Sequence, residues 1–139
     1  MGPDPTTEAG ARALARLDGD IVGWLTTINP DGQPQSSPVW YLWTDGEILL
    51  YSNKRAPRNG NIAERPLVSF HLNTDETGDQ VVTAEGQARI VPDGPRAIDE
   101  PAYMAKYQPM LDSYGWSVEY FMAEYPVVVR VTPTRWRIA

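Results

Sequence analysis

The segment VVTAEGQARIV (residues 81–91) alternates two kinds of side chain without a slip. Val82, Ala84, Gly86, Ala88 and Ile90 fall on one face, and Val81, Thr83, Glu85, Gln87 and Arg89 on the other. A period of two is that of a β-strand. A hairpin at Glu85-Gly86 is the alternative, but an unbroken period favours one long strand bent at its glycine. Bent strands of this kind turn the corners of small barrels. The expected fold class is therefore mainly β, a closed antiparallel barrel.

The neighbouring segments supply the remaining staves. IVGWLTTI (21–28), QSSPVWYLW (35–43), EILLYSN (47–53), LVSFHLNT (67–74) and VVVRVTPTRWRI (127–138) are rich in β-branched and aromatic residues. Pro30-Asp31-Gly32 separates the first two and Thr44-Asp45-Gly46 the next two, where Gly32 and Gly46 can take the positive φ of tight turns. This spacing predicts a three-stranded antiparallel meander over residues 21–53. Pro38 offers no N–H to a ladder and predicts an edge or a bulge.

Short helices are expected around the barrel. TEAGARALARL (7–17) is alanine-rich, with Ala13, Leu14 and Leu17 on one side. Tyr103, Tyr107, Met110 and Leu111 recur at helical spacing after Pro101. Ser117 is placed to cap a last helix carrying Val118, Phe121, Met122 and Tyr125, which Pro126 ends. Residues 1–6 are expected to fray, and residues 1–139 to form one domain.

Composition narrows the function. Twelve basic and eighteen acidic residues give a net charge of −6, which disfavours nucleic acid and anionic lipid as partners. There is no cysteine, so disulfides, thiolate metal sites and a cysteine nucleophile are excluded. No apolar run approaches the ~20 residues of a membrane span, and the start lacks the features of a signal peptide. A cytoplasmic protein is expected.

The densest chemical signal is SNKRAPRNGN (52–61). Lys54, Arg55 and Arg58 lie just past a strand end among Ser52, Asn53, Asn59 and Asn61, and no acid occurs between Glu47 and Glu64. Guanidinium forks, an ammonium and free backbone N–H groups suit a phosphate. A solvated loop that balances an acidic protein is the other reading, and the residues alone leave both open. In QSSPVWYLW, Ser36 and Ser37 sit beside a proline that interrupts the ladder, where free backbone groups can grip the edge of a planar heterocycle. Taken alone, the segment reads more simply as a strand packing aromatics into a core. His71, the single histidine, lies within a strand pattern. It has no nucleophile elbow around it and no second ligand for a metal, so a satisfied strand histidine is expected and no metal site.

The order of these segments resembles the pyridoxamine 5′-phosphate oxidase-like split β-barrels, over roughly residues 10–138. The likeness is carried by IVGWLTTINPDGQPQSSPVWYLW, ILLYSNKRAPRNGNI, LVSFHL and VVTAEGQARIV, and it is greatest to the actinobacterial branch that uses the deazaflavin coenzyme F420. The resemblance implies a homodimer with two cofactor sites at its interface. It implies an oxidoreductase that passes a hydride from the reduced deazaflavin to a conjugated acceptor, such as a quinone, an enone or a biliverdin-like tetrapyrrole. By position, Gln35, Ser36, Ser37, Pro38 and Val39 would lie along the cofactor ring. Ser52, Asn53, Lys54 and Arg58 would hold the phosphate, and Asn59 and Asn61 the adjoining tail. Helical aromatics would come from the partner subunit, and Arg89, Arg96, Arg135 or Arg137 would meet the propionates of a tetrapyrrole. No residue is assigned a catalytic role. One departure matters: the C-terminal end reads Arg135-Trp136-Arg137, without the histidine of the pyridoxamine phosphate site, which argues against that substrate. FMN in place of the deazaflavin, or a non-catalytic cofactor or haem carrier, are the alternatives.

Overall fold

Two residues, Trp40 and Tyr41, decide the topology. A computed structural model describes residues 2–139. In it the run expected as one strand over 35–43 is broken into β2 (Pro34–Val39) and β3 (Leu42–Thr44). The physical reason is that the backbone of Tyr41 finds its partners outside the sheet. Its N–H donates to the Tyr107 hydroxyl at 2.8 Å, and its carbonyl accepts from Lys106 Nζ at 3.0 Å.

The break overturns the expected meander. The other strands are β1 (Gly23–Ile28), β4 (Glu47–Ser52), β5 (Leu67–Leu72), β6 (Val82–Ile90) and β7 (Val127–Ile138). All seven form one sheet in the order β2-β1-β5-β6-β7-β4-β3. β1 and β2 form one hairpin and β3 and β4 another, every pairing is antiparallel, and β2 and β3 stand at opposite ends of the sheet. Three residue steps from Val39 to Leu42 span at most about 11 Å. The two ends of the sheet are therefore tethered to each other, and the sheet curls into a split barrel. Pro34 and Pro38 both lie on the edge strand β2, where a missing N–H costs little.

The expected long strand is present. β6 runs unbroken past Gly86, with Val82, Ala84, Gly86 and Ala88 buried and Ile90 at the surface. Opposite it, Glu85 pairs with Arg135 and Gly86 with Pro133, so Thr134 of β7 is the extra residue of a bulge. A Cβ at residue 86 would sit 2.6 Å from the Thr132 carbonyl oxygen, which explains the glycine. The β3–β4 turn has positive φ at both Asp45 and Gly46, as a tight hairpin requires.

Four helices flank the sheet: α1 (Glu8–Gly19), α2 (Pro57–Glu64), α3 (Pro101–Tyr114) and α4 (Val118–Glu124). Thr7 caps α1 and Ser117 caps α4 through their side chains. Of the segment expected to fray, Met1 lies outside the described residues. Pro3 is buried, and the Asp4 carboxylate accepts from the Thr6 N–H at 2.8 Å. Every residue from Ile48 to Ser52 is buried because β4 is covered on both faces. Ile48 and Leu50 join Leu17, Leu25, Tyr41, Phe70 and Val129 in one cluster. Leu49 and Tyr51 join Tyr103, Tyr107, Leu111 and Phe121 of α3 and α4 in a second. Among the described residues no helix is long and apolar enough to cross a membrane.

Candidate functional site

The chain leaves β4 through Ser52, which is fully buried, and turns at once into α2. Asn53 makes that turn, its Oδ1 accepting the Arg55 N–H at 2.9 Å, and Pro57 opens the helix. Arg58 thereby points back toward the strand ends. Its guanidinium donates to Ser52 Oγ at 3.0 Å and to Ser37 Oγ at 3.1 Å. Burial pulls its pKa below the usual arginine value, although a guanidinium stays charged at neutral pH. Among the described residues no carboxylate pairs with Arg58.

Arg58 opens on a cavity of about 520 Å³. Pro38, Val39 and Trp40 line it from the end of β2, and Tyr51, Asn53 and Arg58 from the β4–α2 corner. Tyr114, Trp116, Phe121 and Tyr125 line it from the end of α3, the α3–α4 connection, α4 and the residue that follows it. Arg58 is the one charged residue in this lining. Trp40 lies near-parallel to Tyr107 at 4.8 Å, to Phe121 at 5.9 Å and to Tyr114 at 6.2 Å between ring centroids. The volume falls in the range of small-molecule sites, and flat aromatic walls with one polar corner suit a planar heterocycle that carries an anion.

The sequence-predicted residues divide into three groups. Pro38, Val39, Asn53 and Arg58 line the cavity, and Ser37 and Ser52 brace Arg58. Lys54 sits apart from the lining, in an ion pair with Glu124 at 2.5 Å. Lys54, together with Arg55, holds the Glu124 carboxyl below the usual carboxylate range. Asn59 donates to the Asn53 carbonyl at 2.8 Å and leaves its own Oδ1 buried without a partner.

The others serve the barrel. Asn61 is buried and donates to Thr27 Oγ1 at 3.0 Å and to Gln35 Oε1 at 3.1 Å, so both Asn61 and Gln35 tie α2 to β1 and β2. Ser36 pairs with Thr26 at 2.6 Å across the same hairpin.

Sequence reasoning assigned no helical aromatic of this chain to the site, naming only those of a partner subunit; Tyr114, Trp116, Phe121 and Tyr125 of the same chain line the cavity. The signal was present in the stop at Gly115, whose φ is 70°, followed by the Ser117 cap, which folds α4 back against α3. The arginines expected to meet propionates do not reach the cavity. Arg89 is held by Glu47 at 3.0 Å and Arg96 by Asp99 at 2.8 Å, and Arg135 and Arg137 lie on β7 outside the lining. His71 stacks on Trp24 and its Nδ1 lies 3.0 Å from the Leu72 carbonyl.

Residues 10–138 match the sequence profile of a family described as pyridoxamine 5′-phosphate oxidase. Among solved structures, a conserved hypothetical protein from Mycobacterium tuberculosis is 28% identical, with a TM-score of 0.68 over 99% of this chain and 87% of that one. An F420 reductase is 23% identical, with a TM-score of 0.63 over 88% of this chain and 94% of that one. A FAD-binding protein from Mesorhizobium loti is 18% identical, with a TM-score of 0.66 over 91% and 90%.

Proposed function

The chain belongs to the pyridoxamine 5′-phosphate oxidase family, and from that footing we propose that it is an oxidoreductase using a deazaflavin of the F420 type. The cofactor would lie in the cavity that Trp40 and the α3–α4 aromatics line, and the acceptor of the hydride is a conjugated small molecule. One observation carries this reading: Arg58, braced by two serine hydroxyls and unpaired with any described carboxylate, faces an aromatic-walled cavity. A positive group so prepared has the chemistry of a phosphate site.

The residues present fit such a group. Arg58 would take the phosphate, with the Asn53 turn beside it. Trp40 and Trp116 would shield the ring from water. When bound and reduced, a deazaflavin supplies the hydride, and the protein supplies orientation and electrostatics. Tyr51 donates to the Pro95 carbonyl at 2.8 Å and burial raises its pKa, so it serves as a fixed wall and keeps its proton at neutral pH. Arg55 lies three residues before Arg58 and makes no ion pair among the described residues, and its positive charge favours a tail of several negative charges over a single terminal phosphate.

The test is a spectroscopic titration of the purified protein with the deazaflavin cofactor and with FMN. Tighter binding of the deazaflavin, together with oxidation of the bound, previously reduced deazaflavin as an added quinone is reduced to the quinol, supports the proposal. Tighter binding of FMN replaces it with a flavin-dependent oxidoreductase on the same fold.

A further inference from the structure

Lys106 is a half-buried cation with no carboxylate partner among the described residues. Its Nζ faces one carbonyl and two aromatic rings, the farther being Tyr107 at 5.3 Å from the ring centroid. It donates to the Tyr41 carbonyl at 3.0 Å and stands 3.9 Å above the centroid of the Tyr41 ring. The next residue on α3, Tyr107, completes the arrangement. Its hydroxyl accepts from the Tyr41 N–H at 2.8 Å and lies 2.7 Å from the Ile21 carbonyl oxygen and 2.9 Å from that of Tyr41. Its ring stacks on Trp40 at 4.8 Å. Two consecutive residues of α3 therefore hold the break between β2 and β3, and the first residue of that break, Trp40, lines the cavity.

We propose that Lys106 is a positioning residue: by clamping the backbone and ring of Tyr41, it fixes the Trp40 wall of the cavity and sets how tightly a planar ligand is held there. The proposal rests on the reading of the cavity as a flavin-type site, and it concerns a residue that does not line that cavity.

Lys106 is held in place at a cost to folding. Burial lowers the pKa of its amine to about 8, against the weaker opposing pull of the Asp18 and Asp20 carboxylates at the end of α1. The aromatic groups facing it, Tyr41 and Tyr107, have pKa values pushed up by burial and stay neutral through this range. Arg16, whose charge also reaches Tyr41, is paired with Asp20 at 2.8 Å. Because the folded-state pKa lies below the ordinary lysine value, the unfolded chain binds more protons between about pH 8 and 10.5. The penalty is full below pH 8 and is relieved as pH rises. With its pKa at about 8 the amine is still mostly protonated at pH 7. The cation over the Tyr41 ring is therefore present at pH 7 and is lost at higher pH.

The two roles have opposite signatures. If Lys106 positions the wall, Lys106→Met removes the burial penalty yet loosens Trp40. The variant keeps or raises its Tm at pH 7 while its affinity for the flavin that the wild type prefers, the deazaflavin or FMN, falls by about 2- to 10-fold. Wild-type affinity falls by a similar factor between pH 7 and 9.5 as the ammonium is lost, and Lys106→Arg, charged throughout, stays flat. The proposal is overturned if Lys106→Met binds as tightly as wild type, or if its Tm and affinity fall together. Should wild type bind neither flavin, the functional reading fails, and the clamp is judged on acrylamide quenching of Trp40 fluorescence, assigned by difference from Trp40→Phe. Greater accessibility in Lys106→Met then supports it, and unchanged accessibility sinks it.

Discussion

Arg58 Nη2 lies 3.1 Å from Ser37 Oγ, and this contact joins α2 to the edge strand β2 across the split in the barrel. The same guanidinium reaches Ser52 at the end of β4, near the other end of the sheet order. One side chain thus bridges the seam and presents its charge to the cavity. Arg58→Gln should weaken flavin or deazaflavin binding by roughly 10- to 150-fold, the equivalent of about 1.5–3 kcal/mol for a hydrogen bond to a charged group. Arg58→Lys keeps the charge but loses the planar fork, and should fall between the two. Calorimetric titration reads this directly, and equal affinity in Arg58→Gln would remove the phosphate site.

The ion pair of Lys54 changes what its removal should do. With Glu124 already neutralising it, Lys54→Ala should weaken an anionic ligand by no more than about 5-fold, the scale of an exposed charge pair. Glu124→Gln should have the opposite effect, releasing Lys54 and tightening the ligand several-fold at low salt. The Glu124 carboxyl is held low by Lys54 and Arg55, so the pair is intact above the ordinary glutamate pKa and is lost as pH falls through the lowered value. Affinities compared at 20 and 300 mM salt test the arrangement, and a Glu124→Gln variant that binds more weakly at both would contradict it.

What the sequence made legible was whatever depends on near neighbours. The alternation through Gly86, the Ser117 cap and the Asp45-Gly46 turn are local chemistry, and each is found where it was read. The break at Trp40-Tyr41 was hidden because its hydrogen-bond partners sit on α3, 66 residues away for Tyr107. The basic loop was read as one cluster, yet its members point to three places. Arg58 turns into the cavity, Lys54 turns to Glu124, and Asn61 turns beneath the barrel. Residue type told which groups can meet a phosphate. The helical periodicity of α2 and the reach of α4 decided which one does face the cavity.

The helical aromatics narrow where a second subunit could dock. Tyr103, Tyr107 and Phe121 are buried within the one chain, so they call for no partner. What stays outside is narrower: Tyr114 is 59% exposed and Tyr120 47%, close to Trp116, and β2 has one open edge. We expect a homodimer formed through this surface. Light scattering at micromolar concentration should give twice the chain mass of 15.5 kDa, and Tyr114→Glu with Tyr120→Glu should halve it. A wild-type monomer would dismiss the expectation.

Asn61 separates a structural asparagine from a binding one. It was read with Asn59 as a contact for a cofactor tail, but its amide is spent inside the protein on Thr27 and Gln35. Asn61→Ala leaves the buried Thr27 hydroxyl without its donor and unties α2 from β1. The expected loss is about 1–3 kcal/mol of stability, the cost of a buried polar group left unpaired. For a domain of this size that amounts to a fall in Tm of several degrees. Affinity, measured well below the new Tm where the variant is fully folded, should change by less than about 3-fold, because Arg58 enters α2 a turn earlier and keeps both serine partners. Asn59→Ala is the matched control on the same helix. It removes the bond to the Asn53 carbonyl, which sits at the cavity corner, and should shift affinity more than stability. If instead Asn61→Ala binds tenfold more weakly with an unchanged Tm, its amide reaches the ligand and the assignment of α2 must be revised.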